Sequence, residues 1–532
     1  MYSFVKSVTD SETGFKLHRP LAGWSFAIII GTAIGFHWGG SLLWLVAATV
    51  AMVWAWGTRR VLPLLFACLA LVAWRAALLH ERNVVVLNRL ETLRGETFEL
   101  KVTVANDCHI VQRKRGGAYC SFSVDRATFP DGMEVHGTNL LVNFYDKSGE
   151  FPCIGETWKV QGKLLHLRSL YRMTLSVRGE TAERLPDESR VNYPQYFLSQ
   201  FRNRLAENLA RGVTPSEALL TQTMTLGTRK KLPYTARKLY ADTGIIHIFA
   251  ISGLHVGIVA GILVWILAWS GVLIRTRWLI LFPALFSYLL LTGIPPSATR
   301  ACVMAVIYCF APSVLRRSDA CSAFFVTAAA VLLISPGWIA NVGALLSFSV
   351  MGGILLLIGP LSYFLNCLFR SKVQRNVVGE LPRHQPWHLK LRHGIALILA
   401  LTISAWIASL PFSLYFFGRI SIAGLVLNLF VPTVTIAIVW CACVSAFAGF
   451  VLPVVSVILN RLNAFFLECI TWAAEGLHTM PWSLVELNEP IGCLLMLLLE
   501  ASMILIGLWL KGVESRMRFN DLHDPQNYRF FI

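Results

Sequence analysis

The sequence predicts a polytopic α-helical membrane protein of about twelve spans with an inserted extracytoplasmic β-barrel domain. Three observations predict it. The 532 residues are 55% hydrophobic and 14% charged, with 17 tryptophans and a mean hydropathy of +0.59, far too apolar for a soluble protein. Apolar stretches long enough to cross a bilayer recur from Leu21 to Leu510, with Lys and Arg gathered in the turns that would face the cytoplasm. Between Glu81 and Asp242 that pattern gives way to short runs of alternating apolar and polar residues.

Residues 1–80 open with about twenty mostly polar positions, too polar for a cleavable signal. Three apolar spans follow, near Leu21 to Trp38, Ser41 to Trp56 and Val61 to Leu79. Lys6, Lys16, Arg19, Arg59 and Arg60 place the N-terminus inside, so residues 81–190 fall outside the cytoplasm. There FELKVTV from Phe98, CSFSV from Cys120, WKVQGKL from Trp158 and MTLSV from Met173 alternate as strands, with NLLVNFY from Asn139 a less regular fifth. Five short strands separated by Gly, Asp and Pro turns suit an OB-like barrel. Arg113, Lys114, Arg115, Tyr119, Tyr145 and Lys147 interleave base and aromatic as a single-stranded nucleic-acid surface would, and equally as a solvated turn beside core aromatics would. Cys108, Cys120 and Cys153 allow one disulfide whose pairing the sequence leaves open.

Residues 191–242 carry amphipathic helical patterns, YFLSQFRNRLAENLA and PSEALLTQTMTLG, read as helices at the membrane interface or under a partner protein, with Ser216 as a cap of the second. The stretch from Asp242 to Trp269, DTGIIHIFAISGLHVGIVAGILVWILAW, can cross a bilayer yet contains His247, Ser252, Gly253 and His255. A Ser-Gly pair at that depth predicts a discontinuous helix beside a polar cavity. Next, TGIPPSATRA from Thr292 places Pro296 at a new helix start, Ser297 as its cap and Arg300 in its first turn, where a cation opposes the positive helix end unless an anion is shared there. Asp319 heads another span. Ser335-Pro336-Gly337 separates two crossings, and Asn341, Ser347, Ser349, Gly352 and Gly353 form a small, polar face on the second. A basic loop follows, whose His384, His388 and His393 are denied regular helical spacing by Pro386. The last spans run near Ile395 to Phe417, Ile420 to Phe450 (interrupted at Asn428 and Pro432), Val454 to Ala474 and Ile491 to Leu510, and Glu500 in the final one needs a partner, with Arg461 the candidate, or a proton.

HIFAISGLHVG from His247, TGIPPSATRA, the run from Asp319 through SPGWIANVGALLSFSVMGGI and LPFSLYFFGRISIAGLVLNLFVPTV from Leu410 together resemble the ComEC family of competence proteins. The resemblance implies an inner-membrane channel that passes single-stranded DNA into a bacterium during natural transformation. It also implies an OB-like domain at 81–190, a channel core at 243–515, a cytoplasmic tail at 516–532 and no cofactor. Partners would be a periplasmic DNA receptor and a cytoplasmic ATPase, helicase or single-strand-binding protein. His247, Ser252, Gly253, His255, Pro296, Arg300, Asp319, Ser347, Asn428 and Pro432 would line the DNA path: Arg300 on phosphate, the histidines hydrating the passage, Gly253 permitting the bend. Many members add a metallo-β-lactamase-like domain with an H-x-H-x-D-H site; no such motif occurs in these 532 residues, so a separate nuclease, or none, is expected to degrade the second strand.

The net charge of +17 fits both the topology and a polyanionic cargo. No G-x-x-x-x-G-K-[ST], H-E-x-x-H or G-x-S-x-G motif is present, which argues against a P-loop ATPase or these hydrolase classes. Two other readings stay open: a small-anion or proton-coupled transporter using Glu500, and a membrane-embedded hydrolase with His247 and His255 as metal ligands.

Overall fold

The computed structural model describes residues 28–35 and 69–78, the strands between 97 and 185, and residues 193–227, 232–315, 318–368, 387–487 and 491–523, with a few isolated positions besides. Residues 28–35 and 69–78 are helical, and among the described residues seven strands follow: β1 (Thr97–Val104), β2 (His109–Gln112), β3 (Ala118–Thr128), β4 (Glu134–His136), β5 (Leu140–Asp146), β6 (Thr157–His166) and β7 (Met173–Arg184). All five alternating runs fall on strands, and β2 and β4 are short additions pairing with β3. The sheet runs β1-β6-β7-β5-β3, and a further ladder joins β1 to β3, with β5 and β7 the parallel pair. Alternation drives the core: Leu100, Val102, Val142, Phe144, Val160, Leu175 and Val177 are almost fully buried, and Phe144 meets Trp158 edge to face at 5.7 Å. Removing that ring in Phe144→Ala is expected to cost about 3–5 kcal/mol, read as faster proteolysis within residues 97–185 of the full chain.

The rest is helical: α1 (Tyr193–Leu209), α2 (Pro215–Leu226), α3 (Tyr234–Asp242), α4 (Gly253–Trp269), α5 (Arg277–Leu291), α6 (Pro296–Phe310), α7 (Ala320–Ile334), α8 (Val342–Leu368), α9 (Trp387–Phe417), α10 (Ala423–Leu427), α11 (Val431–Val451), α12 (Pro453–His478) and α13 (Cys493–His523). Two three-residue strands, β8 (Arg419–Ser421) and β9 (Leu484–Glu486), pair across the bundle. Among the described residues, six helices are long and apolar enough to cross a membrane: Pro296–Val314, Val342–Leu368, Leu391–Phe417, Val431–Val451, Pro453–His478 and Leu494–Val513. Leu69–Leu78, α4, α5 and α7 are apolar but shorter. The expected first and second spans lie largely outside the described residues.

Local chemistry moves two expected caps. Thr214, not Ser216, caps α2: its hydroxyl and the Glu217 carboxylate form a reciprocal capping box around Pro215. The second half of α2 is buried despite its threonines, because the hydroxyls of Thr221, Thr223 and Thr225 each donate to the carbonyl four residues back. Helix α6 is preceded by Pro295 with no side-chain cap, and Ser297 instead donates to the Ile251 carbonyl at 2.7 Å.

Helices α11 and α12 form a hairpin with no room for a loop: Leu452 alone separates them, and Pro453 starts the second. α1 docks on this hairpin through a buried polar knot. Asn460 on α12 donates to the carbonyls of Asn208 and Arg211 at 2.9 and 3.0 Å, and its own carbonyl accepts from Ser445 at 2.6 Å. Asn208 in turn donates to the Ala446 carbonyl, against Gly449, where an added Cβ would lie 2.4 Å from the Asn208 Cγ.

Candidate functional site

The site begins where a helix fails to continue. Ile246–Phe249 make one 3-10 turn, Ala250 to Ser252 run extended, and α4 starts at Gly253, so the discontinuity read in the sequence is present. Ser252 sits at φ −102° and ψ 172° and caps α4, its hydroxyl accepting from the Leu254 N–H at 3.3 Å. His255 closes the box: its Nδ1 accepts from the Ser252 N–H at 3.3 Å and lies 2.9 Å from the Ser252 hydroxyl. A ring nitrogen that accepts from an amide carries no proton, so the neutral ring is assigned with its proton on Nε2. That Nε2 is buried and finds no hydrogen-bond partner among the described residues.

Arg300 reaches the same break from the second turn of α6, not the first turn expected with Ser297 as cap, because the helix already starts at Pro296. Its Nη1 donates to the Ser347 carbonyl at 2.6 Å, its guanidinium stands 5.9 Å from the centre of the Phe348 ring, and its Nε is buried without a partner among the described residues. Gly253 explains the approach. A Cβ added there would lie 2.7 Å from Arg300 Nη2, so any other residue at 253 makes the guanidinium shift; the φ of Gly253 is not left-handed, and the bend itself does not demand glycine. The turn that delivers Arg300 is strained. Gly293 and Ile294 both have positive φ, 81° and 54°, immediately before Pro295 and Pro296. A left-handed β-branched residue is uncommon, and such backbone is held only where its surroundings over-determine it.

Of the residues singled out in the sequence, Ser252, Gly253, His255, Arg300 and Ser347 therefore converge, and Pro296 starts the helix that carries Arg300. The arrangement is more closed than the polar cavity expected: His255 is 0% exposed and Arg300 8% exposed. The cavity that opens nearby lies between α5 and α6 and is lined by Phe282, Leu285, Phe286, Leu289, Val303 and Val306, among other apolar groups. Others stand apart. His247 is exposed on the 3-10 turn, its Nδ1 3.1 Å from the Gly244 carbonyl oxygen. Asp319 caps α7 by accepting from the Ser322 N–H at 2.8 Å. Asn428 and Pro432 bracket the interruption between α10 and α11, where the Asn428 carbonyl accepts from Thr402 and its side-chain oxygen is buried without a partner among the described residues. Tyr119 and Tyr145 are register partners of β3 and β5, whereas Arg113, Lys114, Arg115 and Lys147 lie outside the described residues, as do Cys108 and Cys153.

Two contacts were not read from the sequence. Asp242, 3% exposed, pairs with Arg419 at 2.9 Å and ties the end of α3 to β8, and Gly244 (φ 74°) packs against Ser421 and Gly424 just beyond. Its signal was an aspartate at the mouth of an apolar run. Glu500 meets Ser349 at 2.9 Å instead of Arg461, whose Nε points to the Gly212 carbonyl, because α13 packs on α8 and α9 and not on its sequence neighbour α12.

A family model described as "Competence protein" matches residues 224–512, more than half of the chain and all of the converging residues. The chain belongs to the competence protein family. Over 280 residues this competence protein is 27% identical to ComE operon protein 3 of Bacillus subtilis (strain 168), an alignment covering 52% of this chain and 32% of that one. It thus spans about a third of the length of that relative. No solved structure matches.

Proposed function

We propose that this competence protein is a multi-pass channel of the bacterial inner membrane that passes single-stranded DNA into the cytoplasm. The observation that carries the reading is the Arg300 cluster: a buried guanidinium with no carboxylate partner among the described residues, beside the start of α4 and a histidine donor. An uncompensated buried cation costs several kcal/mol, and donors held at a helix N-terminus match a passing phosphate. In this reading Ser252, Gly253, His255, Pro296 and Ser347 shape the contact, His247 hydrates its approach, and Asp319, Asn428 and Pro432 border the path.

The five longer strands joined in one sheet, β1-β6-β7-β5-β3, support an extracytoplasmic OB-like domain at 81–190, a reading that rests on strand number and order and not on a closed barrel. Arg113, Lys114, Arg115, Tyr119, Tyr145 and Lys147 would receive the strand there. Exposed Phe197, stacked at 6.5 Å on Phe201, which itself stands 6.4 Å from Phe450, supports α1 as an interfacial helix within 191–242. Both termini would be cytoplasmic. A periplasmic receptor would deliver DNA, and a cytoplasmic ATPase, helicase or single-strand-binding protein would draw it in.

The test separates two steps. In a strain lacking the chain, labelled DNA is expected to reach the envelope in normal amounts and fail to enter the cytoplasm, with entry restored by the intact gene. Normal cytoplasmic entry without the chain removes the proposal.

A further inference from the structure

Glu500 lies about two turns inside the candidate span Leu494–Val513. Ser349 Oγ on α8 is 2.9 Å from Glu500 Oε1 and 2.9 Å from the carbonyl oxygen of Ala408 on α9. A serine hydroxyl carries one proton, while an ionised carboxylate and a carbonyl only accept. With Glu500 ionised, Ser349 would face two acceptors with a single proton, and one of the two contacts would set lone pair against lone pair. A protonated carboxyl resolves the count: Glu500 donates to Ser349 Oγ, and Ser349 donates to the Ala408 carbonyl. The second oxygen, Oε2, is buried without a partner among the described residues, which a neutral acid bears far better than a carboxylate does.

We propose that Glu500 is an intramembrane proton-binding site, occupied at neutral pH, whose ligand is H⁺ itself. Release is a plain acid–base step: the carboxyl O–H bond breaks, the proton passes to water, and the bonding pair stays on the carboxylate. The buried carboxylate then requires a donor, so the Ser349 hydroxyl must turn away from Ala408. That exchange frees a carbonyl where α8 and α9 pack closely, since a Cβ on Gly353 would lie 2.3 Å from that of Ala408. Ser347, whose carbonyl holds Arg300, is two residues from Ser349 on the same helix.

No other ionisable group intrudes along these helices. Val342–Ser362 of α8, Gly394–Leu414 of α9 and Leu494–Leu510 of α13 contain none besides Glu500, and the next along each are Tyr363, His393, Tyr415, Cys493 and Lys511. Lys511 is eleven residues on, about 16 Å along the helix.

The experiment treats the full chain in membrane vesicles with N,N′-dicyclohexylcarbodiimide, which adds to protonated carboxyls in apolar surroundings, and reads the adduct by peptide mass spectrometry. An ordinary glutamate, with a pKa of about 4.3, is protonated only about once in 500 at pH 7. Glu500 is therefore expected to label on the order of a hundredfold faster than exposed Glu486 at that pH, to keep its label in Ser349→Ala, and to lose it in Glu500→Gln. Labelling that appears only in Ser349→Ala identifies a carboxylate held by that hydroxyl and overturns the proposal. Where the reagent does not reach the site, the wild-type minus Glu500→Gln infrared difference decides. A protonated-carboxyl stretch supports the assignment, and its absence together with absence of label overturns it.

Discussion

Arg300→Ala is expected to lower cytoplasmic entry of DNA on the order of a hundredfold while the chain remains in the membrane at normal levels. A charge-assisted hydrogen bond contributes about 1.5–3 kcal/mol, and every 1.4 kcal/mol is about tenfold. In the proposed reading each nucleotide brings a phosphate past the same guanidinium, so the loss recurs along the strand. Arg300→Lys keeps the charge but not the planar fork that holds Ser347 and faces the Phe348 ring together, so a deficit of about tenfold is expected. Both variants are read by separating envelope-bound from cytoplasmic label. Wild-type entry by Arg300→Ala would show that the guanidinium plays a packing role only.

Gly253→Ala tests the same contact from the other side. The added methyl would stand 2.7 Å from Arg300 Nη2. Since Nη1 is anchored on the Ser347 carbonyl, the guanidinium must leave one partner to avoid the other. The expected result is an entry defect between those of Arg300→Lys and Arg300→Ala with unchanged protein level. Entry equal to wild type would mean that the guanidinium shifts freely and that its observed position is not required.

What the sequence made legible follows from the range of each signal. Strand alternation is local, and the five runs at Phe98, Cys120, Asn139, Trp158 and Met173 all lie on strands. Proline and glycine act within one turn, so the breaks before Gly253, Pro296 and Pro432 could be read directly. The Gly253–Arg300 contact joins residues 47 positions apart, and among its chain neighbours alone the glycine signals only a bend. Glu500 was offered Arg461 because consecutive spans are the default neighbours. The helices pack otherwise, and a serine, invisible as a charge partner, stands opposite the carboxyl. On α2 the threonines look like a wet face, yet each hydroxyl is satisfied by its own helix and can be buried.

Within the helical core a residue that carries no charge seats α1 on the α11–α12 hairpin. Asn460→Ala removes two donors and one acceptor at once, leaving the Arg211 carbonyl without that bond and Ser445 without its 2.6 Å acceptor. The Asn208 carbonyl keeps Ser456 at 3.1 Å, and Ser445 can still turn to Ser456 at 2.9 Å, so only part of the knot is orphaned. The one buried group left unsatisfied costs about 1–3 kcal/mol, which sets the expected destabilisation at about 1–3 kcal/mol, within the usual range for a point substitution. Asn460→Leu fills the space but restores none of these bonds and is expected to do no better, whereas truncating exposed Leu462 to Ala should change little. Thermal denaturation of the detergent-solubilised chain measures all three. If Asn460→Leu matches wild type, space-filling and not hydrogen bonding seats α1 on the α11–α12 hairpin; if it falls with Asn460→Ala, the polar knot fixes where the chain enters the helical core.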